Sequence, residues 1–120
     1  MLPAPSRPTP LVTIKLAHTA VWVFFVGCIL AIPVAGAQGE FRLAAAFSAA
    51  VLVECGVLAC NRGRCPLTDL AARYTSERRD NFDIYLPLWL ARHNKMIFGA
   101  IFCLSEIYVL IRWLTWDLSR

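Results

Sequence analysis

Three long apolar runs divide the chain. Residues 16–36 (LAHTAVWVFFVGCILAIPVAG) have His18 as their only basic or acidic residue, and residues 43–60 (LAAAFSAAVLVECGVLAC) have only Glu54. Residues 96–116 (MIFGAIFCLSEIYVLIRWLTW) carry Glu106 and Arg112. Each run approaches the ~20 residues that a helix needs to cross ~30 Å of hydrocarbon. A backbone in lipid must satisfy its own hydrogen bonds, and a continuous apolar run does so only as a helix; a barrel would need an alternation of polar and apolar residues that is absent. The pattern predicts an all-α membrane protein with three transmembrane helices, at about 12–35, 42–60 and 95–116, within one transmembrane domain over 11–120. Pro3, Pro5, Pro8 and Pro10 mark residues 1–10 as a flexible, extended tail.

The connections are read next. Residues 37–42 (AQGEFR) form a tight turn that makes the first two helices antiparallel neighbours, and Pro33 kinks or ends the first. Small residues recur at helical spacing on both, as Ala20, Gly27, Ala31 and Ala35 on the first and Ala45/Ala49 and Ala46/Ala50 on the second, which favours close packing. The loop over 61–94 is too long for a simple connection and predicts an amphipathic, interfacial helical segment between helices 2 and 3. Thr68 is placed to cap a helix running to about Arg79, with Leu67, Leu70, Ala71 and Tyr74 on one face and Asp69 in the first turn. Beyond it, Phe82, Tyr85 and Trp89 lie beside Arg92 as an interfacial anchor, and Pro87 suits the first turn of a helix entering the third span.

Composition agrees with this picture: 58% of the residues are apolar, against about 45–50% in soluble domains. Charge adds an orientation. Of the twelve basic residues, Arg7 and Lys15 precede or open the first span and Arg62, Arg64, Arg73, Arg78, Arg79, Arg92 and Lys95 lie between the second and third. That asymmetry predicts a multi-pass protein of the bacterial cytoplasmic (inner) membrane, with the N-terminus and the long loop cytoplasmic and the C-terminus outside. Because the bases follow topology rather than forming one patch, the net charge of +4 does not point to nucleic acid. Ala35-Gly36-Ala37 before Gln38 also resembles a signal cleavage site, but the run preceding it exceeds the 7–15 residues of a signal core, which favours an uncleaved span. The cysteine count of five is odd, with Cys28, Cys55 and Cys103 inside spans, and argues against a disulfide framework; Cys60 and Cys65 are a candidate pair only if the loop is periplasmic.

Several of these features occur together: Leu16-x-His18 opening an apolar helix, an acidic residue near the end of the second, then Cys65-Pro66-Leu67-Thr68, and an aromatic stretch with Leu and Pro before the last span. In this the chain resembles a family of small uncharacterised bacterial inner-membrane proteins that carry Cys-Pro-Leu-Thr after their second helix. The resemblance covers about residues 14–115 and implies a fold and a bacterial membrane, without an activity. The family's pattern has a glutamate three residues after the threonine; this chain has Ala71 there, so no role of that glutamate carries over.

Titratable groups inside spans define the candidate chemistry, because a central Arg, Lys or Asp costs about +2.5 to +3.5 kcal/mol on insertion scales and needs a partner or water. By helix rise, His18 and Glu54 share a depth on adjacent helices, ~10 Å from the cytoplasmic boundary. An imidazole bonded to the carboxylate would satisfy both, with Lys15 one turn from His18 and Glu106 near enough to join them. Such a cluster is either a structural pin or a proton or ligand site. Haem ligation would use His18 with His93, which lies ~10 Å shallower by helix rise. Otherwise no cofactor or metal is implied. Cys60 and Cys65 lack the C-x-x-C spacing, and no phosphate loop, G-x-S-x-G or H-E-x-x-H motif supports an enzyme. The expectations are therefore a non-catalytic accessory or assembly subunit whose partners are the bilayer and other membrane subunits, or further copies of itself. The alternatives are a redox or small-molecule (haem or quinone) binder using His18 and Glu54, and a proton-coupled oligomeric transporter.

Overall fold

The computed structural model describes residues 10–116, and these form four helices with no strand among them. They are α1 (Pro10–Ala37), α2 (Phe41–Cys60), α3 (Pro66–Ala71) and α4 (Leu88–Thr115). Of the expected tail only Pro10 is described, and it opens α1, where its missing N–H costs nothing. Three of the helices, α1, α2 and α4, are long and apolar enough to cross a membrane. At 1.5 Å per residue α2 spans ~30 Å, and α1 and α4 ~42 Å each, so the longer pair would tilt or project beyond the hydrocarbon.

Pro33 neither ends nor interrupts α1, which continues to Ala37. The turn that follows is closed from within. Glu40 N–H bonds to the Ala35 carbonyl at 2.9 Å and Gly39 N–H to that of Gly36 at 3.2 Å, a paired C-terminal cap that needs a left-handed residue. Gly39 supplies it at φ 76°, and a Cβ there would also meet the Trp116 ring. The cap uses the carbonyls that α1 leaves unpaired and returns the chain for α2.

The long helices do not share contacts evenly. Both α2 and α4 pack along α1 and touch one another sparsely. Trp22 meets Asn94, Gly36 meets Val109 and Ala37 meets Arg112, a nearly constant offset that makes α1 and α4 parallel. At the centre, Cys28 and Ile29 of α1 and Val51 of α2 are buried against Phe98, Ile101 and Phe102 of α4. On the far side of this layer the Ser48 hydroxyl of α2 donates to the Glu106 carboxyl of α4. Most other large apolar side chains face outward, as on a protein whose solvent is lipid.

The connection between α2 and α4 differs from its expected form. Its helix stops at Ala71 instead of continuing to about Arg79, because Arg78 folds back and donates to the carbonyls of Ala72 (3.2 Å), Thr75 (2.7 Å) and Glu77 (2.6 Å). Ala71 is buried and Leu67 half-buried, whereas Leu70 and Tyr74 are exposed. At the other end, α4 starts at Leu88 with Pro87 as its N-cap, so the helix that carries the third apolar run begins beside the proline expected in its first turn.

Gly36 allows the closest approach of α1 and α4, since a Cβ there would lie 2.7 Å from Val109 Cγ2, on a β-branched side chain that has little room to turn. Gly36→Ala is therefore expected to cost ~1–3 kcal/mol through overpacking. Gly27→Ala, which adds its methyl to open space, should be neutral or slightly stabilising. Thermal unfolding of both variants in detergent micelles checks this; equal midpoints would mean that the helices do not cross this closely.

Candidate functional site

An imidazole on an apolar helix needs an acceptor. His18 finds one in Asp83, in the segment between α3 and α4: its Nδ1 lies 3.1 Å from the Asp83 carbonyl oxygen and 3.2 Å from Oδ2. Both partners are acceptors, so Nδ1 carries the hydrogen. The Thr68 hydroxyl of α3 donates to the same carboxylate oxygen. Adjacent bonds lay this segment along α1, with Tyr85 N–H donating to Thr19 Oγ1 at 3.0 Å and Lys15 Nζ 4.4 Å above the Tyr85 ring. Asp83 and Ile84 are each only 5% exposed, so this is a seated strand of loop and not a surface excursion.

Beneath it lies a cavity of about 480 Å³ between α1, α2 and α4. Its upper lining is polar, with His18, Thr68 and Asp83 beside Cys65 and the half-buried Glu54. Ile29, Val51, Phe98 and Phe102 form its apolar depth. The cavity exists where α2 and α4 stand apart on either side of α1, and the Ser48–Glu106 bond lies one helical turn beyond its floor.

Asp83 is held in its charged form. Burial alone would raise its pKa, but the hydrogen bonds from His18 and Thr68 and the charge of the imidazole outweigh it and bring the carboxyl below its ordinary 3.8.

The residues singled out from the sequence separate into three groups. His18, Glu54, Cys65 and Thr68 line the cavity. Cys65 is the N-cap of α3 and Pro66 its first residue, so the Cys-Pro-Leu-Thr segment is the turn that brings Thr68 to Asp83. Lys15, on α1, lies over the ring of Tyr85 in the seated loop. Others go elsewhere. The carboxylate that accepts from His18 is Asp83 and not Glu54, and Glu106 is engaged by Ser48. His93 is exposed, with Nδ1 2.9 Å from the Trp89 carbonyl of its own helix, and is not among the residues that line the cavity beside His18. Phe82 lies under the Arg78 guanidinium at 5.2 Å, Arg92 pairs with Asp80 at 2.9 Å, and Trp89 is 63% exposed. Arg112 donates to the Ala37 carbonyl at 3.1 Å, complementing the negative end of α1. All five cysteines are free thiols. Among the described residues no group of three or more His, Cys, Asp and Glu side chains is disposed to hold a metal.

Asp83 is the residue that sequence reasoning passed over. The signal was there: one carboxylate inside the aromatic and apolar stretch FDIYLPLW, at a place where an unpaired charge would be costly.

The arrangement is that of an all-helical protein, compatible with a multi-pass membrane protein, whose three membrane-length helices enclose a cavity with a polar roof. Compared with protein-family models, with curated proteins and with solved structures, the chain has no match.

Removing the carboxylate leaves His18 without its partner, so Asp83→Ala should lower stability by ~2–3 kcal/mol. Because the folded-state pKa of Asp83 is lowered, its contribution is fully present above the ordinary value of 3.8 and is lost as the pH falls through that value to the lowered one. Unfolding midpoints measured in micelles from about pH 6 to about pH 3 should decline at the acid end. Asp83→Asn should flatten that decline, and an unchanged slope would remove the linkage from Asp83.

Proposed function

We propose that this chain is a three-span protein of a bacterial inner membrane that binds a small amphipathic molecule in the cavity under the loop, without itself carrying out catalysis. The observation that carries this reading is the cavity. Its volume lies within the ~300–1,000 Å³ usual for small-molecule sites, and its lining has the ordinary division of such sites, a few convergent polar groups over apolar walls. The polar upper lining, with His18 set by Asp83 and with Glu54 beside it, would face the polar end of the ligand, and the apolar depth would receive the rest. This is the small-molecule expectation with the head group of the amphiphile left open; for its haem form, His93 is not among the residues that line the cavity.

Membrane placement is supported by the three long apolar helices and by the basic residues concentrated between the second and third. We read the N-terminal side and the loop as cytoplasmic and the end of α4 as external. That α1 is retained rather than cleaved is supported by its position as the common partner of α2 and α4. Membership of the Cys-Pro-Leu-Thr family is part of the same reading, supported by the role of that segment in delivering Thr68 to Asp83.

A second reading, an accessory or assembly subunit of a larger complex or of a homo-oligomer, is favoured by one observation. Tyr85 and Trp89 stand 45% and 63% exposed at the loop end of the bundle, where aromatic side chains serve either a headgroup boundary or a partner. On this reading the amphipathic, interfacial helical segment expected between helices 2 and 3 is α3, at the same end of the bundle. Proton-coupled transport gains no such support, since Glu54 lines the cavity whereas Glu106 is bonded to Ser48 outside it.

Mass spectrometry of the organic extract from protein purified in a mild detergent tests the first reading. One amphiphile in near-stoichiometric amount, reduced in His18→Ala and Glu54→Ala protein, is the expected result; recovery of bulk lipid alone, unchanged by either variant, would count against it. Co-purification of defined membrane subunits, with no retained amphiphile, would favour the second reading instead. Fusions of a periplasm-active reporter after residue 75 and after residue 116 report orientation, and activity is expected only from the second.

A further inference from the structure

The mouth of the cavity carries far more positive than negative charge. Five bases line it, Arg64, Arg78, Arg79, Arg92 and Lys95. Three are matched by carboxylates: Arg64 by Asp69 at 3.7 Å, Arg79 by Glu77 at 3.2 Å and Arg92 by Asp80 at 2.9 Å. The other two are not. Lys95 donates to the Gly63 carbonyl, and Arg78 to main-chain carbonyls and the Phe82 ring, so among the described residues neither has a carboxylate partner. Asp83 is engaged by His18 and Thr68. Glu54, the other carboxylate in the lining, lies about one and a half helical turns into α2 from its loop end, at the depth of His18, and among the described residues has no ion pair with Lys95 or Arg78. The rim thus keeps two cations without an ion-pair partner, above the polar upper lining and an apolar depth that reaches Ile29 and Phe102. Along α1 the distance from His18 to Ile29 is ~16 Å. That length suits an extended aliphatic chain.

We infer that the ligand is an amphiphile with an anionic head, phosphate or carboxylate, held at Lys95 and Arg78, and with a single aliphatic chain between α2 and α4. This inference rests on the cavity reading above and adds the charge and shape of the occupant. Bases act on such a head as charge-assisted donors, and the rim's partial exposure limits what each contributes. The chain replaces nothing polar on entering the depth of the cavity, and fixes which way round the molecule sits.

Gly99 provides a probe of the depth that leaves the fold intact. It lines the cavity, and a Cβ added to it meets no atom within 4 Å, so Gly99→Leu fills part of the space while favouring the helix. Lys95→Gln with Arg78→Gln removes both charges and keeps hydrogen-bonding side chains. Native mass spectrometry of the full chain in alkyl maltoside micelles, titrated with five probes, separates the cases. The probes are oleate, oleoyl lysophosphatidate, oleoyl lysophosphatidylcholine, a decyl-substituted quinone and inorganic phosphate. The expected result is saturable one-to-one binding of oleate, lysophosphatidate or both, and no retention of inorganic phosphate. That binding should be weakened about three- to tenfold by the double charge variant and lost in Gly99→Leu. Preference for one of the two anionic probes identifies the head as carboxylate or phosphate. Equal or tighter binding of the quinone or the lysophosphatidylcholine, sensitive to Gly99→Leu but indifferent to the charge variant, overturns this inference and leaves the cavity reading in place. Binding of the anionic probes that Gly99→Leu does not change, or no binding of any probe, overturns both.

Discussion

The hydrogen bonds between His18 and Asp83 hold the rest in place. An imidazole part-way along an apolar helix cannot be left without a partner, and Asp83 reaches it from a stretch more than sixty residues further along the chain. Satisfying that demand seats the loop on α1, and Thr68 ties α3 to the same carboxylate. The roof over the space between the helices is thus made by polar groups that had to be paired for their own sake. Binding capacity in this protein follows from a solution to a desolvation problem.

A second constraint is the dependence of two helices on one. With α2 and α4 each packed along α1 and sparsely on each other, a bundle of three has one face that does not close. The Ser48–Glu106 bond joins that face at one level, and toward the loop it stays open as the cavity. Small residues explain how α1 serves both partners: Gly36 admits Val109 of α4, and Ala44 of α2 is almost wholly buried.

Much of this was legible in the chain. The three apolar runs located the long helices, and the cost of titratable groups in lipid drew attention to His18, Glu54 and Glu106 before any geometry was known. Helix rise placed His18 and Glu54 at one depth, and both do line one cavity. What helix rise does not convey is the path of an irregular segment. Asp83 has no periodicity to announce it, and its approach to α1 depends on the turn at Pro66, the stop at Ala71 and the backward reach of Arg78. The expected extension of α3 to Arg79 failed for the same reason, since a side chain donating to main-chain carbonyls competes with the next helical turn. His93 illustrates a different limit: its position along α4 was fixed by counting, but its direction was set by the Trp89 carbonyl one turn back.

The central place of α1 also distributes tolerance to sequence change unevenly. About 28% of its apolar window is buried within the bundle, against 11% for α2 and 6% for α4. A substitution on α4 at random mostly alters a surface turned to its surroundings, where one apolar side chain serves as well as another. On α1 the same substitution more often meets a neighbouring helix, the loop or the cavity wall. Descendants of this chain are free to drift along α4 and held to a narrow choice along α1, so that ancestry should be read most clearly from its first third.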